Sequence, residues 1–378
     1  MSTAWRIPFN RVALAGDELA YVQQAIREGH IGGDGPFGRR CEELLEEATG
    51  AHRALLATSC THALELAALL LDLGPGDEVV VPSFTFASTA TAFALRGATV
   101  VFCDVRADTL NLDESLLEEV VTARTRAIVP VHYAGVGCEL DAIGALAAER
   151  GIAVVEDNAH GLFGAYRDRP LGTFGTFGAQ SFHETKNVSC GEGGALLVND
   201  PAYVDRAEVM REKGTDRKRF FRGQVDKYTW VDLGSSYVLS DLAAAFLAAQ
   251  LEAREAIQAA RRRVWDRYRD GLAGWAERRG VRLPVVPEHC EQPYHMFHVL
   301  FPTLEERTAL IEHLRARGIL AVFHYLPLHL SAMGRRYGGR PGQCPVAEDA
   351  ADRLLRLPFY TALSENEQAE VIETIEAF

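Results

Sequence analysis

The sequence predicts an α/β fold: a large domain on a mostly parallel central sheet, followed by a small C-terminal α+β domain. Three observations predict it. Apolar runs of strand length alternate with helix-like stretches through the first half of the chain. A breaker-poor, Ala-, Gln-, Glu- and Arg-rich stretch then separates that pattern from a shorter mixed one. The length, 378 residues with 48% hydrophobic and 24% charged content, suits a globular chain with two cores.

Glu78–Pro82, Thr99–Phe102, Ala127–Val131 and Ile152–Val155 each border a helix-like segment, which reads as buried parallel strands joined by crossover helices. Phe177–Phe182 and Ala195–Val198 lack a long helix between them, so they are expected to pair as neighbours on one edge of that sheet. A helix is expected over Thr61–Asp72, stopped by Leu73-Gly74-Pro75. From Ser240 to about Asp270 the pattern predicts one long helix crossing between domains, with a boundary near residue 255 dividing 1–255 from 256–378. Beyond it come a strand at His298–Phe301, a helix over Leu304–Ala316 and a strand at Ala321–Phe323. Helices around Val346–Leu355 and Ser364–Ala377 close the chain.

A net charge of −13 opposes binding to a phosphate backbone except at a local basic patch, so nucleic acid is not an expected partner. No apolar leader follows Met1, and no run of about 18 apolar residues occurs, which predicts a cytoplasmic protein without a membrane partner. The seven cysteines are scattered, with no CxxC pair, and read as reduced thiols rather than disulfides or a metal site.

The chemistry-bearing residue is Lys186, in Ser181-Phe182-His183-Glu184-Thr185-Lys186 just before a glycine-rich run. Taken alone it reads as a surface lysine at a strand end; with Asp157 at the end of an apolar strand, it can build a pyridoxal-phosphate site. A lysine amine forms a Schiff base with the cofactor aldehyde, and a buried carboxylate keeps the ring nitrogen protonated. A helix N-cap is the other reading of Asp157. Ser59, ahead of the helix at Thr61, reads either as a plain N-cap or as part of a phosphate cradle at the positive helix end. Phe84 or Phe86 could stack on the pyridine face; both also read as core aromatics, Phe86 the more so. His160 could meet the same ring or serve as a structural histidine.

Thr58-Ser59-Cys60-Thr61-His62-Ala63-Leu64, Pro82-Ser83-Phe84-Thr85-Phe86, Val155-Glu156-Asp157-Asn158-Ala159-His160, Ser181–Lys186 and Gly191-Glu192-Gly193-Gly194 occur in an order that resembles the DegT/DnrJ/EryC1/StrS sugar aminotransferases, PLP enzymes of fold type I. Phe221–Trp230 and Phe323–His329 look like the branch acting on dTDP-4-keto-6-deoxyglucose, the dTDP-4-amino-4,6-dideoxygalactose transaminases among it. By position, the resemblance implies that Lys186 is the Schiff-base lysine and Asp157 the partner of the ring nitrogen. It puts Ser59, Cys60 and Ser181 on the phosphate and Phe84 on the ring. His160 stands where the family usually has Gln. Ser236 and Val238 replace a family Asn and Arg, of which the Asn reaches the neighbouring subunit's cofactor. A homodimer with its active site at the subunit interface is implied.

The implied reaction moves the amino group of L-glutamate, by way of pyridoxamine phosphate, to C4 of dTDP-4-keto-6-deoxy-D-glucose. It yields a dTDP-4-amino-4,6-dideoxyhexose of galacto or gluco configuration, and 2-oxoglutarate. For the sugar nucleotide the candidates are His329, Tyr325 and His183, with Arg219 and Arg222 from the basic cluster Arg211, Lys213, Arg217, Lys218, Arg219 and Arg222. Most of that cluster reads as solvated, and His183 also reads as packing beside the lysine. Amination at the 3-position of a related ketosugar and a non-catalytic regulator that binds the cofactor or a sugar nucleotide are the alternatives. A nicotinamide enzyme would need G-x-G-x-x-G opening a helix after the first strand, and Gly32–Gly35 and Gly191–Gly194 lie elsewhere.

Overall fold

The computed structural model describes residues 5–14 and 16–378. Its main sheet contains β1 (Arg53–Ala57), β2 (Glu78–Pro82), β3 (Thr99–Cys103), β4 (Thr125–Ile128) and β5 (Ala153–Asp157). The short strands β6 (Ala165–Tyr166) and β7 (Arg169–Pro170) leave it, and β8 (Phe177–Ser181) and β9 (Gly194–Val198) return to it. The order is β1-β9-β8-β5-β4-β2-β3. All neighbours from β3 to β8 pair in parallel, and only β9 runs against the rest. The strands Val79–Val81 and Ala195–Val198 are wholly buried, as expected of Val- and Leu-rich runs covered on both faces.

The parallel strands and the β8–β9 pairing agree with the sequence pattern. The edge does not: β1 lies outside β9, Arg53 opposite Val198 and Ala57 opposite Gly194, so β8 and β9 are interior. The run Arg53-Ala54-Leu55-Leu56-Ala57 has no β-branched residue, and its strand state comes from pairing rather than propensity.

The expected single helix after Ser240 is two, Asp241–Glu252 and Arg254–Arg279, broken at Ala253. The break separates two packing tasks. The first helix buries Ala244, Leu247 and Leu251 against Phe37 and Leu45. The second buries Val264, Trp265, Tyr268 and Leu272 in a C-terminal core with Phe297, Leu310, Leu355 and Ile375. Beside that core, β10 (Cys290–Glu291) pairs with β6, and β11 (His298–Leu300) pairs with β12 (Leu354–Arg356). Two expectations fail here. Residues 321–323 make only a single bridge, Val322 to Arg356. The helix Pro345–Arg353 stops before residue 355, because Leu354 and Leu355 turn inward as strand residues opposite β11. The last helix, Glu365–Glu376, starts at a Ser364–Glu367 capping box. All seven cysteines are free thiols. Among the described residues no helix is long and apolar enough to cross a membrane.

Candidate active site

Ligands of open α/β sheets gather beyond the carboxyl ends of the strands. Here β1 delivers Ser59 and Cys60, β2 delivers the 83–86 turn, β5 ends on Asp157, and β8 ends on Ser181, ahead of Lys186. Because β9 runs the other way, its first residue, Gly194, arrives at the same end. These elements surround a cavity of about 800 Å³. Its wall includes Ser59, Cys60, Phe86, Asp157, His160, Ser181, His183 and Lys186 from the sheet, and His295, His324, Tyr325 and Arg356 from later in the chain.

Asp157 is buried and its carboxylate is raised, chiefly because burial disfavours its charge. The Thr89 hydroxyl (2.7 Å) and the Ala159 N–H (3.2 Å) donate to it, and Lys186 adds a favourable field. Thr89, in the helix Ser88–Ala94, is in turn linked at 2.8 Å to Thr85 Oγ1 in the turn before that helix. The Lys186 amine is brought down to about 8, by burial first and by Arg356 in the same sense, with Cys60 and Asp157 opposing.

Ser59 caps the helix Cys60–Leu70 by accepting from the His62 N–H at 3.1 Å. The helix end faces the cavity, so its remaining free N–H groups point at any ligand there. Gly194 is required by close approach: a Cβ would stand 2.3 Å from the Ser59 carbonyl carbon and 2.4 Å from the Cys60 nitrogen. His160 stacks on His295 with ring centres 4.2 Å apart, and its Nδ1 is buried without a partner. Burial, with help from Lys186 and Arg356, holds His160 neutral. Tyr325 stacks on His324 at 3.6 Å. His183 is 2.9 Å from Thr185 Oγ1 and stays partly exposed.

Several sequence expectations are corrected by position. Phe84 is 1% exposed and packs on Tyr133 (5.3 Å) and Tyr325 (5.6 Å) inside the core, away from the cavity wall. Phe86, expected in the core, is 61% exposed and lines the cavity. Residues two apart share a face only while the strand persists, and β2 ends at Pro82, so in the irregular turn that follows Phe84 and Phe86 point to opposite sides. His329 is wholly buried between Ser83 Oγ (2.5 Å) and Glu348 (3.0 Å), outside the cavity, so it is a structural histidine.

The basic cluster is also mostly paired. Arg211 is buried on Glu42 (2.8 Å) and Asp34, Arg219 reaches Asp205 (3.3 Å), and Arg222 reaches Glu208 (2.8 Å). Ser236 is exposed and, like Arg222, lines a separate cleft rather than this cavity. Sequence reasoning did not single out Thr89, His295, His324 or Arg356. The Thr85/Thr89 spacing and the Tyr294-His295-Met296-Phe297-His298 run were the available signals.

The residues fit a pyridoxal phosphate. A buried carboxylate with a raised pKa awaits a cation, an amine lies in the same cavity, and a helix N-terminus packed on Gly194 offers N–H groups to an anion. A family model, the DegT/DnrJ/EryC1/StrS aminotransferase family, matches residues 13–376. The spore coat polysaccharide biosynthesis protein SpsC of Bacillus subtilis is 31% identical over 377 residues, covering 98% of this chain and 96% of SpsC. Spr1654 of Streptococcus pneumoniae, a provisionally assigned sugar aminotransferase, superposes in its PMP form with a TM-score of 0.91 at 28% identity, covering 98% of each chain. Its PLP form gives 0.90. The aminotransferase TlmJ from Streptoalloteichus hindustanus gives 0.88 at 33% identity, covering 100% of this chain and 98% of TlmJ. With its fold, its lysine–carboxylate cavity and these likenesses, the chain belongs to the DegT/DnrJ/EryC1/StrS aminotransferase family, enzymes that use pyridoxal phosphate.

Proposed function

We propose that the protein transfers the amino group of L-glutamate to C4 of dTDP-4-keto-6-deoxy-D-glucose, giving a dTDP-4-amino-4,6-dideoxyhexose and 2-oxoglutarate. The observation that carries transamination is Lys186 and Asp157 facing one cavity under the N-terminus of the helix Cys60–Leu70. The sugar nucleotide is supported by the likeness to a polysaccharide biosynthesis protein and a sugar aminotransferase, and by the branch-like runs Phe221–Trp230 and Phe323–His329.

In this reading Asp157 stabilises a protonated ring nitrogen. The free N–H groups after Ser59, with the Ser59 and Ser181 hydroxyls and Cys60, hold the phosphate. Phe86 covers the ring, and His160 hydrogen-bonds its phenolic oxygen. The chemistry the cofactor supplies when bound is an aldehyde that takes up an amine and a ring that accepts an electron pair. Lys186 Nζ removes the proton from the glutamate α-carbon, and in the second half returns a proton at the sugar carbon. One base serves both halves, and its lowered proton affinity suits it to do so near neutral pH.

A division near residue 255 belongs to the same reading: Lys186 and Asp157 come from the first unit, Tyr325 and Arg356 from the second. So does a homodimer. Ser236, Arg219 and Arg222 lie outside the cavity, next to exposed Phe221, Tyr228, Trp230 and Leu233, where a second copy would cover them. The cytoplasm is the expected compartment.

The test is spectroscopic. Glutamate should bleach the near-visible absorbance of the purified holoenzyme, and after its removal dTDP-4-keto-6-deoxyglucose should restore it. Bleaching without restoration would leave transamination standing and refute the sugar. A protein without such absorbance would end the whole reading.

A further inference from the structure

Residues 6–13 form a strap that joins the C-terminal core to the lysine. The strap precedes the first strand of the main sheet in sequence, yet through Phe9 its backbone bonds go to the C-terminal part of the chain. Arg6 and Ile7 donate to the Gly318 carbonyl (3.0 and 3.1 Å), Leu320 donates to Ile7 (3.0 Å) and Phe359 to Phe9 (3.0 Å). Ile7 is wholly buried in the C-terminal core, and the Arg6 guanidinium reaches the Arg317 carbonyl at 2.6 Å. Beyond these anchors the strap meets the active site. Phe9 and Asn10 line the cavity beside Phe359, and Asn10 to Ala13 border a narrow gap with Glu184, Lys186 and Asn187. There Asn10 Nδ2 donates to the Glu184 carbonyl at 3.2 Å.

Lys186 needs a fixed base, because its amine must both join the cofactor and carry a proton, and each task depends on its reach. The ends of its loop are tied to each other: Phe182 donates to Gly193, Glu184 to Gly191 and Cys190 to Phe182 (2.8, 2.9 and 3.0 Å). After the lysine, the buried Asn187 side chain is held by the Pro293 carbonyl, Gln258 and His295. Before the lysine, the Glu184 carbonyl accepts from Asn10 and from no other donor among the described residues. The backbone that carries Lys186 is thus clasped on one side by Asn187 and on the other by the strap. A side-chain amide bonded two residues from the lysine sets the peptide from which the lysine side chain departs.

We propose that Asn10 is a positioning residue for Lys186, fixing the peptide two residues before it so that Nζ keeps its reach to the reacting carbon. The assignment rests on the transamination reading. The test compares full-length holoenzymes of the wild type, Asn10→Ala, Asn10→Asp (the same shape without the N–H donors) and Asn10→Gln. Amide hydrogen exchange, followed by mass spectrometry, should quicken roughly 5- to 10-fold in peptides covering 182–191 of the Ala and Asp variants. Peptides covering 318–322 and 357–361, where the strap is anchored, should exchange as in the wild type. The saturated rate of the glutamate half-reaction should fall about 10- to 100-fold with little change in the half-saturating glutamate concentration, and Asn10→Gln should recover part of it. Faster exchange in all three segments, with a lowered denaturation midpoint, would reduce Asn10 to a folding contact and overturn the proposal. So would unchanged exchange at 182–191. A raised half-saturation with the saturated rate kept would make Asn10 a glutamate contact and equally overturn it. If the Ala variant does not fold, the Asp variant decides. Loop exchange that responds as expected in a protein whose absorbance glutamate never bleaches would refute the transamination reading alone.

Discussion

Two phenylalanines two residues apart separate structure from chemistry. Phe84→Ala should cost about 3–5 kcal/mol by opening a hole among Tyr133 and Tyr325, seen as a lowered denaturation midpoint. Phe86→Ala should change stability by no more than about 0.5 kcal/mol while weakening cofactor retention, measured by absorbance after dialysis. The opposite pattern would restore Phe84 to the ring. Lys186 carries a pH prediction. Its amine works as a base only when neutral, and its proton affinity is lowered, so the rate of the glutamate half-reaction should rise through pH about 8 and level off above it. A rise centred near the ordinary lysine value of about 10.4 would show that burial does not tune it. Asp157→Asn should keep the fold and slow the half-reaction by about 10²–10³-fold. Asp157 stood out in the sequence because a carboxylate ending an apolar strand needs a partner, whereas Lys186, ordinary in a polar run, was singled out only by its place after Asp157 and before the glycine-rich run. Phe86 and His329 were misjudged because one face or the other of an irregular turn cannot be read from residue type.

At the level of elements, the phosphate cradle depends on how tightly β9 meets the start of the helix Cys60–Leu70. Gly194→Ala pushes a methyl into the Ser59–Cys60 peptide. It should therefore lower both the denaturation midpoint and cofactor affinity, whereas Ser59→Ala should cost only about 1 kcal/mol of cap energy in the cofactor-free protein. Equal effects of the two would mean that the close approach is not what shapes the cradle. The Val- and Ile-rich strands were readable, since burial on both faces selects their composition. β1 was not, because its neighbours in space, not its own residues, make it a strand. The break at Ala253 was equally hidden: an alanine suits helix and break alike, and only two separate cores choose between them.

For the whole molecule, the exposed stretch from Phe221 to Leu233, with Trp230 72% exposed, predicts association. Trp230→Asp should shift sedimentation toward the monomer and reduce turnover, because Ser236 and Arg222 then lack a second copy to serve. An unchanged sedimentation profile would remove the dimer from the proposal. The sequence revealed the buried parallel strands β2 to β5 but not this surface, since a residue's exposure in one copy is decided by the three-dimensional packing of distant segments. The pairing of β1 with β9 has a further consequence, for synthesis. Arg53 meets Val198, so the first strand of the sheet leaves the ribosome about 145 residues before β9, its one strand partner among the described residues. At roughly 5–20 residues per second, it waits on the order of 7–30 s with both edges open. Through that interval the half-made chain offers a sticky template to other nascent copies, and holdase chaperones acting on chains shorter than about 200 residues are where its yield in cells would be decided.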